Sequence, residues 1–525
     1  MHACVRSAAV SGIEAYEVLV EVDAQMALPD WTIVGLPANA VRESRHRVTA
    51  AVLNSGFLLP PRRVTCNLSP ADTRKEGTAF DLPIALAVLG ATDQLDPRLL
   101  TDIVVVGELG LDGVVREIRG ALPIARRAVG QRGWLVVPPA NLSEAGLVAD
   151  LTRTGRLATT TTLAALVETL RSGRLQAADI PARRPAAPNG DVDFGDVIGQ
   201  PMAKRALEVA AAGGHNVHVV GPPGAGKTML ARRLPTILPA LTEAEALDVI
   251  AVHSVAGLLR SDTPLPPPRP FRAPHHTVST AGLVGGGTNP RPGEVSLAHL
   301  GVLFLDELLE FPRSALEALR QPIEDGHVTI TRAARAVSYP ARFTLVAAAN
   351  PCPCGRAGDG TPECRCTAAV IRRYRSRLSG PLADRIDMHV TVRAVPIDSL
   401  AVKHAPRSES SAVVRARVES ARERQRQRYR ALPRITCNAQ ASGLWLDGCT
   451  PVDADARALL TTVATQLALS ARGYHRTLKV ARTIADLDAE HTVTRAAVAE
   501  AIRYRPTYAA DAIETPAGDL ADARA

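Results

Sequence analysis

The sequence predicts an α/β chain in three parts: a mixed α/β N-terminal domain, a central parallel-sheet domain and a small helical C-terminal domain. Three observations carry that expectation. A short apolar strand at 216–220 runs straight into a glycine loop at 221–228 and then into a helix. Two more apolar runs, at 302–305 and 343–348, read as buried parallel strands. From residue 410 onward the stretches 410–430, 452–467, 473–488 and 494–504 turn helical.

Taken in order, the chain begins with strand-like runs at 16–22, 63–67, 103–107 and 134–137. Helical runs at 38–55, 82–90 and 122–129 alternate with them. These define an N-terminal domain, 1–180. A Pro-rich polar stretch at 181–190 has little to bury and reads as a semi-rigid linker. The central domain follows at 191–400, the helical domain at 401–510 and a mobile tail at 511–525. Residues 279–293 and 356–362 are glycine-rich and read as loops.

Composition narrows the class. At 525 residues the chain exceeds one ordinary core. Its 61 Lys and Arg outnumber 53 Asp and Glu, and the resulting charge of +8 permits a polyanionic partner without requiring one. No apolar run reaches the roughly 18 residues that span a bilayer, and the N-terminus lacks a signal-peptide layout. A cytoplasmic protein with no membrane role is expected. Aromatic residues make up only 3%, so any nucleic acid is held mainly by backbone contacts rather than by base stacking.

The loop at 221–228 fits G-x-x-x-x-G-K-[ST] in the strand, loop, helix setting that phosphate binding needs. Gly221, Gly224 and Gly226 let backbone amides turn inward, with Pro222, Pro223 and Ala225 completing the cradle, and the helix start adds positive partial charge. Lys227 is placed to reach the β- and γ-phosphates of ATP, and the Thr228 hydroxyl to ligand Mg2+. Asp306 and Glu307 end the strand at 302–305, where ligands of open α/β sheets gather. Asp306 is assigned to magnesium and Glu307 to activation of the attacking water. Asn350, just after the run at 343–348, brings a neutral amide to the γ-phosphate side. Arg385 and Arg472 stay open at this level: each is either a surface salt-bridge residue or, in a ring, a catalytic arginine.

Other clusters carry separate chemistry. Cys352, Cys354, Cys364 and Cys366 fall within fifteen residues, and in a reducing compartment four thiolates suit a structural Zn2+. The runs 326–331 and 336–339 read as hairpin arms that carry Arg332 and Arg335 at their tip, suited to DNA phosphates. A second DNA-facing candidate is the glycine loop at 284–288. His275 and His276, being adjacent, are expected to point in different directions and are not read as metal ligands.

Several longer stretches now connect these residues to a family. They are Phe271-Arg-Ala-Pro-His-His276, Val284-Gly-Gly-Gly287, Pro292-Gly-Glu-Val-Ser-Leu-Ala-His299, Arg377-Leu-Ser-Gly-Pro-Leu382 and Lys479-Val-Ala-Arg-Thr-Ile-Ala-Asp-Leu487. Over nearly the whole chain the sequence resembles the magnesium-chelatase-like AAA+ ATPases of the ComM/YifB type. The resemblance implies a homo-hexamer with ATP between subunits, Asn350 as sensor 1, Arg385 as arginine finger, Arg472 as sensor 2 and a C-terminal helical lid. It also implies a DNA helicase that promotes branch migration in recombination and natural transformation. A metal-insertion motor and a protein remodeller are the alternatives. The N-terminal part resembles the Lon-protease fold through Lys75-Glu-Gly-Thr-Ala-Phe-Asp-Leu82 and Gly107-Glu-Leu-Gly-Leu-Asp-Gly-Val-Val115. Ala79 stands near the serine position and Leu122 near the lysine position, so no peptidase activity is expected.

Overall fold

The computed structural model describes residues 2–129, 133–180, 192–259, 267–287, 290–332, 335–357, 364–394, 409–432, 435–441 and 448–505. The expected linker at 181–190, the tail at 511–525 and the side chains of Arg332 and Arg335 lie outside what is described.

The N-terminal region is built on a seven-stranded mixed sheet. Its longest pair, His2–Ser11 and Glu14–Gln25, is an antiparallel hairpin turned at Gly12, whose φ of +65° suits glycine. Glu14–Gln25 then pairs antiparallel with Arg63–Ser69, and His2–Ser11 pairs parallel with Ile103–Val105. The helix Asp81–Ala91 lies across the long hairpin and is buried on every side, which explains why its sequence is apolar without periodicity. Its Gly90 leaves room for Ala3, since an added Cβ would sit 2.9 Å from that methyl.

The central sheet has five strands, all parallel, in the order Phe271–Arg272, Val302–Leu305, Thr344–Ala349, Val217–Val220, Met388–Thr391. Val302–Leu305 and Thr344–Ala349 are buried throughout, as both-face coverage by helices requires. Val217–Val220 lies between neighbours reached in opposite directions along the sheet, which opens a crevice at its carboxyl end.

Helices Ser411–Arg428, Ala454–Gln466, Ala471–Leu487 and Arg495–Arg503 follow, each within a few residues of the stretch expected from sequence. They share one continuous core with the sheet: Val414, Val418 and Ile484 pack in the same cluster as Leu207, Val217 and Phe304. Asp387 pins this junction, facing Arg476 at 3.0 Å and His215 at 3.4 Å. Burial opposes its charge, but His215, Arg476 and Lys479 together hold the carboxyl down at about 2.

The N-terminal region docks on the helix Glu243–Ala256. Leu122 and Leu147 pack with Ile250 and Ala251, and Arg126 faces Asp248 at 3.4 Å. The Ser254 hydroxyl donates to the Glu144 carboxylate, which also accepts the Leu122 amide at 2.7 Å. Among the described residues no helix is long and apolar enough to cross a membrane.

Candidate nucleotide-binding and catalytic site

Val220 sits in register with Ala349 on one side and Thr391 on the other, so the chain leaves the sheet through a narrow gap. Gly221 fills that gap because a Cβ there would meet the Val392 carbonyl oxygen at 2.4 Å. Gly224 and Gly226 take φ values of +78° and +84°, and no atom lies within 4 Å of a Cβ built on either. The loop is thus an open cradle of inward-turned backbone, with buried Ala225 anchoring it from below.

The helix Lys227–Ile237 starts at the cradle and places two side chains. Lys227 Nζ donates to the carbonyls of Gly221 at 2.6 Å and Pro222 at 3.0 Å, and to Asn350 Oδ1 at 3.0 Å. Burial pulls its ammonium below the usual lysine range, against the upward influence of Asp306 and Glu307. Thr228 Oγ1 donates to Asp306 Oδ2 at 2.8 Å, so the two expected magnesium ligands already meet. An open cradle, a lysine and a hydroxyl–carboxylate pair fit a magnesium-bound triphosphate.

Glu307 adopts the left-handed region at φ +51°, uncommon for a residue with a Cβ. Two hydrogen bonds hold it there, from its own amide to Asp306 Oδ1 at 3.0 Å and from the Glu310 amide to its carbonyl at 2.8 Å. Its carboxylate is half exposed and lies 3.3 Å from His276 Nδ1. The expectation that the two adjacent histidines diverge is corrected here: the ring centroids of His275 and His276 are 4.1 Å apart. Both follow the strand Phe271–Arg272, which pairs with Val302–Leu305 and so delivers them beside the acidic strand end. The contact between His276 and Glu307 was missed from sequence; the pairing of those two strands is the signal that finds it.

Arg385 stands elsewhere. The Asn216 side chain donates to its carbonyl at 3.3 Å, at the amino ends of the strands, whereas the cradle is at their carboxyl ends. A four-residue strand separates the two by about 13 Å. Its guanidinium is 7% exposed and pairs with Glu324 at 2.7 Å, while Nε has no partner among the described residues. Arg472 is exposed in the first turn of Ala471–Leu487, a helix capped by Ser470 Oγ on the Gly473 amide at 3.1 Å.

The strand Thr344–Ala349 leads through Asn350 into the cysteines. Sγ of Cys352 lies 3.3 Å from that of Cys354 and 3.8 Å from that of Cys364, and the four sulfurs including Cys366 are all within 4.8 Å of one another. Downstream of the acidic strand, His327–Arg332 and Arg335–Pro340 form the expected antiparallel hairpin, with Arg332 opposite Arg335. The glycine segment departs from a plain loop. Ser279 caps a short helix, Thr280–Val284, and Gly285–Gly286 pairs with Arg291–Pro292. Tyr339 of the hairpin ties to this segment by donating to the Pro290 carbonyl at 2.7 Å.

Comparison with known proteins agrees with this geometry. The family described as magnesium chelatase, subunit ChlI matches residues 193–400, with related ChlI descriptions matching 20–141 and 408–505. The chain is 43% identical to YifB of Escherichia coli over 508 residues, 95% of this chain and 96% of that one. It is equally 43% identical to the competence protein ComM of Haemophilus influenzae over 509 residues, 96% and 97% of the two chains. The chloroplastic magnesium-chelatase subunit ChlI of Nicotiana tabacum is 25% identical over 348 residues, 61% of this chain and 73% of that one. With relatives this similar over nearly its full length, the chain belongs to the magnesium-chelatase-like family of AAA+-type ATPases, in its ComM/YifB type.

Proposed function

We propose that this chain hydrolyses ATP as one subunit of a homo-hexameric ring that moves DNA, acting as a helicase in branch migration during recombination and natural transformation. One observation carries the reading. Lys227 is hydrogen-bonded to Asn350 and its neighbour Thr228 to Asp306, with Glu307 next in the chain, while Arg385 lies at the far end of the same sheet. The near side binds and hydrolyses; the far side can serve only a neighbour's site, once the Arg385 guanidinium leaves Glu324 on assembly.

Backbone amides of 224–228 and the Lys227 ammonium hold the β- and γ-phosphates. Thr228 and Asp306 hold the magnesium, which when bound neutralises phosphate charge and orients the leaving group. Asn350 Oδ1, released from Lys227 as the ammonium turns to phosphate, orients the attacking water. Glu307 Oε2 takes its proton as water displaces ADP from the γ-phosphorus. Arg385 of the adjacent subunit stabilises the charge that spreads over the transferring group, and Arg472 links its loss to the C-terminal helices, the lid of the site.

DNA is held by the hairpin tip with Arg332 and Arg335, and by the adjoining glycine segment. The net charge of +8 and the competence role in the name of the Haemophilus relative support a nucleic-acid substrate. The N-terminal region is a Lon-type fold without peptidase chemistry, since the buried Leu122 is spent on docking and Ala79 has no nucleophile. The four cysteines hold a structural zinc.

The test is ATPase rate with and without forked or four-way DNA, in the native protein and in Lys227→Ala. Stimulation in the native protein and none in the variant is expected. Equal native rates with and without DNA sink the helicase reading, and stimulation by a protein substrate or a chelatase partner instead would favour the alternatives.

A further inference from the structure

The loop that leaves the catalytic strand touches the nucleotide site twice. At its start Asn350 binds Lys227 at 3.0 Å. Five residues on, Gly355 turns with φ +81°, and a Cβ built on it would lie 2.6 Å from Cδ and 2.8 Å from Cγ of Pro223, in the phosphate cradle. Between these two contacts lie Cys352 and Cys354. The turn is fixed internally, since the Gly355 amide donates to the Cys352 carbonyl at 2.9 Å and the Ala357 amide to Cys352 Sγ at 3.3 Å.

The sulfur geometry suits a bound ion. A tetrahedral zinc with Zn–S near 2.3 Å sets its sulfurs about 3.8 Å apart. Three of the separations, 3.3 Å, 3.6 Å and 3.8 Å, approach or reach that value and are too long for a disulfide. Cys352 is buried and Cys354 exposed, so the cluster spans from the interior beneath the cradle to the surface.

We infer that zinc in this four-cysteine site braces the phosphate cradle, so that nucleotide affinity depends on metal occupancy. The inference rests on the proposed nucleotide site and extends it to its regulation. Zinc ligation fixes the turn at Gly355, the turn presses on Pro223, and the same segment sets Asn350 against Lys227. Without the ion the turn keeps its two amide hydrogen bonds but gains only weak contacts among four thiols, so the cradle's outer wall is held less firmly.

The experiment uses the full chain. Zinc is quantified by mass spectrometry of the purified protein, and Mg-ATP affinity is measured by calorimetry for the native protein, for Cys352→Ser with Cys354→Ser, and for Gly355→Ala. Native protein is expected to carry about one zinc per chain. The double serine variant should lose zinc and bind Mg-ATP at least about 10-fold more weakly, in the range seen when outer-shell support of a site is removed. Gly355→Ala should keep its zinc and lose affinity likewise, which separates cradle contact from metal loss if the serine variant fails to fold. A serine variant that loses zinc yet keeps its affinity, unchanged affinity in Gly355→Ala, or a native protein free of zinc overturns the inference while leaving the nucleotide site standing. Zinc-loaded native protein that binds no Mg-ATP overturns both.

Discussion

Glu307 is held in an uncommon backbone conformation with its carboxylate beside His276, and this pair sets what a single substitution can do. Glu307→Gln keeps shape and removes the proposed base, so ATP binding should persist while kcat falls about 10²- to 10⁴-fold, the usual contribution of a general base. His276→Ala removes only the neighbour that steers the carboxylate; kcat should fall roughly 10-fold with KM for ATP nearly unchanged, as steady-state kinetics would show. A rise in KM with kcat intact would instead place His276 in ground-state binding. Much of this site was legible. The phosphate loop, Asp306 and Glu307 announce themselves because phosphate chemistry demands glycines and a lysine at fixed spacing. His276 did not, because its partner is thirty-one positions away in sequence and adjacent only once two strands pair. Glu324, the partner of Arg385, was hidden for the same reason.

Elements were read well where period and length agreed, and poorly where a strand was short or an edge. The helix Ala471–Leu487 shows a clear apolar face and was found within two residues of each end. Leu157–Thr159 has three residues and Asp30–Val34 alternates on an exposed edge, so neither rises above local noise. The short helix after Ser279 was lost inside a glycine-rich stretch, although the serine cap is a start signal. The most consequential element contact is between the helix Ala121–Ala128 and the helix Glu243–Ala256, where Leu122 is fully buried against Ile250. Leu122→Ala should therefore leave a cavity at this joint and cost about 2–5 kcal/mol in urea unfolding, while the ATPase of the folded protein persists. An unchanged unfolding midpoint would mean that the joint is not formed in solution.

Across the whole molecule, one core runs from the central sheet into the C-terminal helices, which a boundary drawn from composition near residue 400 did not foresee. Long-range burial of this kind leaves no local mark on a sequence. Two histidines lie on strands of the central sheet, His218 and His389, and a third, His299, just before another strand. Burial pushes His218 down to about 4, and burial with neighbouring positive charge pushes His299 and His389 to about 3. The Arg342 amide donates to His299 Nδ1 at 3.1 Å, which requires that nitrogen to be unprotonated. Their folded values lie below the unfolded value near 6.5, so below that pH the unfolded chain binds more protons and stability is lost on acidification. The loss begins near pH 6.5 and continues down through the folded values. By pH 5 each such histidine costs about 2 kcal/mol relative to pH 8. Urea midpoints at the two pH values test this, and equal midpoints would contradict the burial. Finally, the sheet carries its cradle at one end and Arg385 at the other. If Arg385 serves a neighbour's site, as proposed, a solitary copy owns two halves of different catalytic centres and a whole one of neither. Dilution alone should silence turnover while circular dichroism stays constant, and a specific activity flat from micromolar to low nanomolar protein would show that each copy is self-sufficient.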